Sequence, residues 1–133
     1  MPRSSRLDTV SPAASLLGRS VLKITSESGV VELEYDAKPE FSNRHGTVAG
    51  GFLAAMLDSA TSAPVLLLLD DGQTVVTTDL QVSFERPARV GRLSAVSRVL
   101  VRDAVEVRSE SELRDPEGRV VARATATFRI LSE

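Results

Sequence analysis

Hydrophobic and polar positions alternate along most of this chain, and one long apolar run interrupts the alternation. Residues 31 to 35 alternate apolar and charged side chains, and residues 21 to 25 are strand-like, with a turn at Ser28-Gly29 between them. A period of two is typical of a strand with one face in water, so these segments predict a hairpin. After the apolar run, the pattern predicts a meander of four strands, at 75 to 85, 93 to 101, 105 to 114 and 120 to 130.

The apolar run predicts a helix at about residues 50 to 69. Its residues are apolar on every face, and such a helix is normally buried. Pro64 lies inside the run and lacks a backbone donor, so we expect a kink or a break near Thr61 and Ser62. No strand-helix alternation follows, which favours an antiparallel α+β domain over a parallel doubly wound sheet. Because a single sheet cannot cover a helix on all sides, we expect the sheet to curl around it and a second copy to cover the rest.

The segment before the hairpin contains a shorter helical signal. Residues 1 to 10 are polar, and we expect them to be flexible. Residues 12 to 17 predict one or two helical turns, with Ser11 as the N-cap and Gly18 as the stop. The 133 residues are enough for one domain, spanning 1 to 133, that buries its own core.

Composition narrows the classes of function. The net charge is -2, with 16 basic and 18 acidic residues, which favours neither nucleic acid nor an anionic membrane as a partner. The absence of cysteine excludes disulfides and thiolate catalysis, and a single histidine excludes a histidine-rich site in one chain, so we expect no metal. No segment matches a membrane span or a secretory signal, and we predict a cytoplasmic protein.

Asp58 is a carboxylate inside the apolar run, and we expect it to be buried with the helix. A buried carboxylate without a partner is costly, so chains rarely keep one without a reason. Thr61 and Ser62, three and four residues later, place two hydroxyls on the same helical face. The residues alone leave two interpretations open. Asp58 is either a functional acid, or a carboxylate that pairs with an arginine or faces a subunit interface.

Gly50 and Gly51 open the predicted helix, where backbone N–H groups lack partners at the positive end of the helix dipole. Such donors bind a phosphate or polarise a carbonyl oxygen. The phosphate-loop interpretation fails because no Gly-Lys-Ser or Gly-Lys-Thr follows. Asp58 lies eight residues after Gly50, about 12 Å along the helix, which is too far for both to act on one carbonyl. Two antiparallel copies would bring the helix start of one chain near the Asp58 of the other.

Five segments together resemble one family, over roughly residues 30 to 130. They are NRHGTVAGG at 43 to 51, LDSA at 57 to 60, TTDLQVSF at 77 to 84, RPA at 86 to 88 and DPEGRVVARATA at 115 to 126. In this combination the chain resembles the hotdog-fold acyl-CoA thioesterases of the phenylacetate-pathway and 4-hydroxybenzoyl-CoA type.

The resemblance implies an α+β hotdog fold, in which a curved antiparallel sheet of about six strands wraps a long central helix. It implies homodimers with two sites at the subunit interface, and often dimers of dimers. The implied activity is hydrolysis of a small or medium acyl-CoA thioester, with coenzyme A as part of the substrate and no separate cofactor.

The resemblance also assigns catalytic and binding roles to residues of this chain. Asp58 matches the carboxylate that attacks the thioester or activates a water, and Gly50 matches the backbone N–H that binds the thioester oxygen. Asn43 matches the polar residue that positions the substrate carbonyl or the water. Ser62 and Thr77 match hydroxyls that line the acyl or water site.

One position departs from the family pattern. The family usually has His-Gly-Gly where this chain has Ala49-Gly50-Gly51, so the imidazole before the oxyanion donor is absent. The backbone donor survives, and Gly51 stays a candidate for substrate binding. His45 lies four positions earlier and is a further substrate-binding candidate, with a plain loop histidine as the alternative.

Two other interpretations stay open beside the thioesterase. One is a non-catalytic acyl-CoA or lipid-binding hotdog protein, which the absent histidine makes plausible. The other is a structural oligomer in which Asp58 caps or pairs at the interface. Coenzyme A phosphates would need cations near strand ends. The candidates are Arg86, Arg89, Arg92, Arg98 and Arg102.

Overall fold

In the computed structural model, which describes residues 5 to 132, one long helix packs against a single sheet of six antiparallel strands. The strand order in the sheet is β1-β2-β4-β5-β6-β3. The elements are α1 (Ser5–Asp8), α2 (Pro12–Leu16), β1 (Ser20–Thr25), β2 (Val30–Ala37), a 3-10 turn (Pro39–Phe41), α3 (Gly50–Leu66), β3 (Gln73–Phe84), β4 (Gly91–Arg102), β5 (Glu106–Arg114) and β6 (Val120–Ser132). The hotdog fold and the α+β class are therefore confirmed.

The order of strands within the sheet differs from the predicted meander. The β1-β2 hairpin is confirmed, and β4, β5 and β6 do follow one another. β3, however, pairs with β6 at the sheet edge, with Leu80 opposite Ala126, while β2 lies beside β4, with Leu33 opposite Ala95. The prediction that β3 starts a four-stranded meander was wrong. Alternating side chains fix which face of a strand is buried but not which strand becomes its neighbour.

One side of α3 forms the core with the inner face of the sheet. Leu53, Met56, Leu57 and Ala60 are at most 3% exposed, and they belong to one cluster with apolar residues of β2, β4, β5 and β6. Burial of large aliphatic side chains of this kind is the main stabilising term in a domain of this size. The core thus fixes the rotation of α3 about its own axis.

The opposite side of α3 faces away from the sheet, as expected for a helix that one sheet cannot cover on all sides, and its cover by a second copy stays a prediction. Gly50, Gly51 and Ala55 are exposed, and Asp58 is half-buried rather than buried. The residues on this side are small or polar, and the sheet covers only the side with large aliphatic residues. Asp58 therefore lies at the boundary between the core and the exposed stripe of the helix.

The helix also ends earlier than predicted, at Leu66 instead of 69, and it continues through Pro64 without a break. Pro64 removes one N–H donor from the helical ladder. In an α-helix that donor would bond to the carbonyl of Ala60. Thr61 Oγ1 and Ser62 Oγ donate to other carbonyls of this part of the helix, those of Leu57 and Ser59.

The N-terminal segment is packed against α3 where it is described. Leu7 is 2% exposed, and Arg6 Nη2 donates to the carbonyl of Asp70 over 2.6 Å. Residues 6 to 8 are therefore packed against the rest of the chain. The flexibility expected for residues 1 to 10 stays a prediction, and residues 1 to 4 lie outside the described residues. The short helix is confirmed, with the Ser11 side chain accepting from the N–H of Ala14 and positive φ at Gly18.

No helix within residues 5 to 132 is long and apolar enough to cross a membrane.

Candidate active site

The loop before α3 presents the start of the helix to solvent. Main-chain hydrogen bonds hold this loop: the N–H of Val48 donates to Ala88, and the N–H of Ala49 donates to Phe41. Ala49 is the N-cap in an extended conformation, and it provides no side-chain cap. The first N–H groups of a helix have no partner inside the helix. The amides of Gly50 and Gly51 are therefore available to a ligand.

Phe84, at the end of β3, lies beside this helix start. A Cβ atom added to Gly50 would lie 3.4 Å from the Phe84 ring, so the absence of a side chain leaves the space between them. The ring is itself 55% exposed. An exposed aromatic ring beside free N–H donors gives the helix start an apolar flank.

Asp58 lies two helical turns further along, next to the edge strand. Thr77 Oγ1 donates a hydrogen bond of 2.8 Å to Asp58 Oδ1. Thr77 adjoins an irregularity in the pairing of β3 with β6, between Thr77 and Asp79. Such irregularities change the direction of side chains on a strand. Here Thr77 reaches the helix from the sheet edge.

Within residues 5 to 132, Asp58 forms no ion pair with an arginine or lysine. The interpretation of Asp58 as half of a structural ion pair is therefore not supported by the described part of the chain. Its carboxylate has one hydrogen bond from Thr77, and a carboxylate has four acceptor positions. The other acceptor positions of the carboxylate are open to a water or a substrate.

The spacing of Thr61 and Ser62 predicts that their hydroxyls lie beside Asp58. Neither hydroxyl, however, donates to the Asp58 side chain. Thr61 Oγ1 donates to the carbonyl of Leu57 over 2.8 Å, and Ser62 Oγ donates to that of Ser59 over 2.7 Å. Hydroxyls inside helices commonly bond back to the preceding turn. The hydroxyl that does serve the carboxylate comes from Thr77, nineteen residues away.

A cavity of about 280 Å³ opens next to Asp58. Ala55, Ser59 and Ser62 of α3 line it together with Asp58, and its other wall comes from residues 9 to 19. No sequence pattern predicts this second wall, because the first ten residues are polar and residues 12 to 17 predict only a short helix. Ser62 therefore lines the same cavity as Asp58, and its role in substrate binding stays a prediction.

Tyr35, on β2, supports the floor of this region from the core. Its hydroxyl donates to Ser59 Oγ over 2.9 Å. Burial, which disfavours the charged phenolate, raises the pKa of Tyr35 to about 12. The hydroxyl therefore keeps its proton at neutral pH and fixes Ser59 beside the acid. The alternation of residues 31 to 35 predicts that Tyr35 lies on the buried face of a strand, but it predicts no role for this residue in a site.

Asn43 and His45 lie in an exposed turn before the helix. Asn43 Oδ1 accepts from the N–H groups of His45 and Thr47, at 2.9 and 3.2 Å, and Asn43 Nδ2 donates to Thr47 Oγ1. Asn43 thus stabilises its own loop, a frequent use of this side chain in turns. Neither side chain contacts Asp58 through a hydrogen bond in the described chain, and their roles in binding stay predictions.

The five arginine candidates for phosphate binding differ in their partners. Arg92 pairs with Glu34 at 3.2 Å, Arg98 pairs with Glu110 at 2.6 Å, and Arg102 donates to the carbonyl of Leu68. The side chains of Arg86 and Arg89 form no ion pair within residues 5 to 132. Arg89 lies opposite Thr47 in an isolated bridge, which places it beside the loop that leads to Gly50.

A larger cavity, of about 640 Å³, lies across β3, β4, β5 and β6, away from Asp58. Ion pairs line it: Arg98 with Glu110, and Glu112 with both Arg114 and Arg123. The hydrogen bond from Arg114 lowers the pKa of Glu112. Arg98 is the only one of the five candidate arginines in this lining, and it is already paired with Glu110. Asp58 and Ser62 line the smaller cavity, which we therefore take as the candidate site.

Comparison with known proteins shows which family this chain belongs to. The model of the thioesterase superfamily matches residues 45 to 122, which include the helix start, Asp58 and Thr77. The chain belongs to the thioesterase superfamily. It is a thioester hydrolase.

Solved structures and a curated relative support this membership. A phenylacetic acid degradation-related protein of Ralstonia eutropha is 37% identical, with a TM-score of 0.88, 96% of this chain and 98% of that chain being covered. A protein of Saccharolobus solfataricus named as an esterase is 29% identical over 111 residues, which are 84% of this chain and 77% of that protein. A thioesterase of Haemophilus influenzae shares the fold, with 22% identity, a TM-score of 0.84 and coverage of 96% and 87%.

The thioesterase brings together Asp58, Thr77 and Ser62 on one side, and Gly50 with Gly51 at the helix start. The two groups are separated along α3 within one chain, as the helical spacing predicted. Ser59, Tyr35 and the wall of residues 9 to 19 were not predicted as parts of the site. The alternation around Tyr35 showed its burial, but no local pattern showed its contact with Ser59.

The titration of Tyr35 tests the environment of the site floor. Because burial raises the pKa of Tyr35 from 10.0 to about 12, the unfolded chain loses this proton first. The contribution to stability is complete below pH 10 and is lost as the pH rises towards 12, by roughly 2 to 3 kcal/mol in total. Tyr35 is the sole tyrosine, so near-ultraviolet phenolate absorbance follows it directly.

We expect the absorbance of the folded protein to titrate near pH 12, and that of the urea-unfolded protein near pH 10. The Tyr35→Phe variant should be less stable than wild type at pH 8, and this difference should shrink above pH 10. A stability difference that stays constant between pH 8 and 11.5 would contradict the buried placement.

Proposed function

We propose that this thioesterase hydrolyses a small or medium acyl-CoA, with Asp58 as the nucleophile or general base. One observation carries the proposal: Asp58 is half-buried beside a cavity, accepts a hydrogen bond from Thr77, and has no cationic partner in the described chain. An ionisable group with these surroundings in a cleft is a good candidate for chemistry.

Thr77 orients the carboxylate through one of its oxygens. The hydrogen bond to Oδ1 directs that oxygen towards β3 and leaves the second oxygen for a thioester carbon or a water. A thiolate leaves without a strong general acid, so one carboxylate and a pair of N–H donors are sufficient. The replacement of the family histidine by Ala49 does not remove the backbone donors.

The oxyanion donors come from a second copy of the chain in this proposal. Gly50 and Asp58 are about 12 Å apart along one helix axis, which is too far for a shared carbonyl. The exposed stripe at Gly51 and Ala55 and the edge strand β3 support a homodimer, because an edge strand offers unpaired main-chain groups. Val76 and Phe84 on this edge are 46% and 55% exposed. A dimer of dimers is compatible with this arrangement.

Arg86 and Arg89 are the candidates for binding the coenzyme A phosphates. Both are exposed, lie on the loop between β3 and β4, and lack a carboxylate partner within residues 5 to 132. Arginine binds phosphate with two parallel hydrogen bonds. The bridge between Thr47 and Arg89 keeps this loop next to the helix start.

The substitution Asp58→Asn tests the central role. It keeps the size of the side chain but removes its charge, so we expect kcat to fall about 10²- to 10⁴-fold. The measurement is steady-state hydrolysis of a panel of short, medium, aromatic and hydroxylated acyl-CoAs, with thiol release as the signal. Binding of a slowly hydrolysed acyl-CoA should persist.

The matched control is Asp71→Asn, which removes an exposed carboxylate that does not line the cavity and should leave kcat unchanged within about twofold. Unchanged kcat in Asp58→Asn, with a folded protein by circular dichroism, would show that this carboxylate is not the catalytic group.

The double substitution Arg86→Ala and Arg89→Ala tests the thioester carrier. We expect KM for an acyl-CoA to rise about tenfold with little change in kcat, because two phosphate contacts are lost. The same acyl group on pantetheine, which lacks the nucleotide, should show no change. Arg98→Ala, which removes a cation already paired with Glu110, is the control. An equal rise in KM for acyl-pantetheine would assign the two arginines to another role.

A further inference from the structure

The second wall of the Asp58 cavity is part of the folded domain. Leu7 and Leu17, at either end of this N-terminal segment, are 2% and 4% exposed. The N–H of Asp36 on β2 donates to the carbonyl of Leu17, and Arg6 donates to the carbonyls of Leu66 and Asp70. These contacts fix the wall at both of its ends, so the side chains that it presents to the cavity have defined positions.

Arg19 is the cation on this wall. Its Nη2 donates to the carbonyl of Leu7 over 2.6 Å, while its Nε is buried without a hydrogen-bond partner. No ion pair within residues 5 to 132 includes Arg19. Removing a guanidinium donor from water without a replacement is costly, and such unsatisfied groups are few in native proteins. Arg19 also lines the cavity, so its guanidinium charge, which no carboxylate within residues 5 to 132 neutralises, would attract an anion there.

The cavity has a size suited to an acyl group. At about 30 Å³ for each water-sized group, its volume of about 280 Å³ holds on the order of nine non-hydrogen atoms. This volume accommodates a short acyl chain. Ser11, Ser59 and Ser62 add hydroxyls to the lining, so the cavity is not purely apolar.

The two charges of the cavity have opposite signs. Asp58 lies on the α3 side and Arg19 on the opposite wall, and they are not within ion-pair distance of one another. Both influence the pKa of Tyr35, beneath the larger effect of burial, with Asp58 raising it and Arg19 lowering it. A ligand that carried a carboxylate would be repelled by Asp58 and attracted by Arg19.

We propose that Arg19 binds a carboxylate at the far end of the acyl group, and that the preferred substrates are thioesters of short dicarboxylic acids. This inference rests on the proposed function, since it places the thioester carbon next to Asp58. With the carboxylate at Arg19, the repulsion from Asp58 favours one orientation of the chain, in which the neutral thioester end faces the acid. The arrangement thus selects and orients the substrate with a single cation.

The experiment compares two coenzyme A thioesters with five-carbon acyl chains, glutaryl-CoA and pentanoyl-CoA. They differ in one end group, a carboxylate against a methyl. We expect wild type to show a kcat/KM at least about tenfold higher for glutaryl-CoA, as a charge-assisted pair at a specificity site provides. Arg19→Ala should lose this preference, with kcat/KM for pentanoyl-CoA changed less than about threefold.

Two further variants separate charge from structure. Arg19→Gln keeps a donor for the Leu7 carbonyl but no charge, and it should lose the preference as fully as Arg19→Ala does. Arg6→Ala removes another tether of the same segment without lining the cavity, so it should change both substrates by equal factors. If Arg19→Ala does not fold, Arg19→Gln gives the decision.

The outcomes distinguish this inference from the proposed function. If wild type hydrolyses both thioesters with equal kcat/KM, or if Arg19→Gln keeps the preference, the carboxylate site is refuted while the thioesterase mechanism stands. If wild type hydrolyses no acyl-CoA, the proposed function fails. In that case, calorimetry measures the binding of both thioesters to wild type and to Arg19→Gln. Equal affinities of wild type for the two thioesters would refute the carboxylate site. Tighter binding of glutaryl-CoA by wild type, lost in Arg19→Gln, would support it.

Discussion

One hydrogen bond, donated by Thr77 Oγ1 to Asp58 Oδ1 over 2.8 Å, joins the edge strand of the sheet to the central helix. Among residues 5 to 132, Thr77 provides the only hydroxyl that donates to this carboxylate, and Thr77 lies on β3, an edge strand of the sheet. The position of the acid therefore depends on the packing of β3 beside β6. A substitution that moves β3 would therefore also move the Thr77 hydroxyl and change the orientation of the Asp58 carboxylate.

One side of α3 packs in the core and stabilises the fold, and the opposite side is the one open to a substrate or a second chain. Leu53, Met56 and Leu57 face the sheet and are almost fully buried, and they fix the helix in place. Gly50, Gly51 and Ala55 face away from the sheet, where the small side chains leave space for a substrate or a second chain. Because the core side is rigidly packed, the reactive side needs few polar contacts to be well positioned.

Local features of this fold were predictable from sequence, and long-range contacts were not. The Ser11 cap, the hairpin and the strands rest on neighbouring residues, and the alternation of apolar and polar positions showed their inner faces. The placement of β3 beside β6 depends on contacts about fifty residues apart in sequence, for example between Leu80 and Ala126. No local pattern contains that information.

In the candidate site, too, the sequence predicted local features but not long-range contacts. Asp58 and the glycine pair were found because an acid in an apolar helix and glycines at a helix start are unusual. The burial of Asp58 was overestimated, since a helix apolar on all sides is fully covered only when something besides its own sheet contacts it. Arg19 contributes to the cavity through tertiary packing of the N-terminal segment, which its sequence of small and polar residues did not show.

If Asp58 of one chain and the Gly50 amide of another chain act on the same thioester, a dimer of two different inactive variants should regain activity. Asp58→Asn removes the acid. Gly50→Pro removes the amide donor, and proline suits the first helical position because Ala49 is already extended, with φ -61° and ψ 139°.

The decisive measurement is the acyl-CoA hydrolysis rate of the mixed dimer, obtained by co-expressing the two variants with different affinity tags and purifying on both. One of the two sites in each mixed dimer is then intact, so about half of the wild-type rate should return. A mixed dimer as inactive as both parent variants would contradict a site shared between two chains.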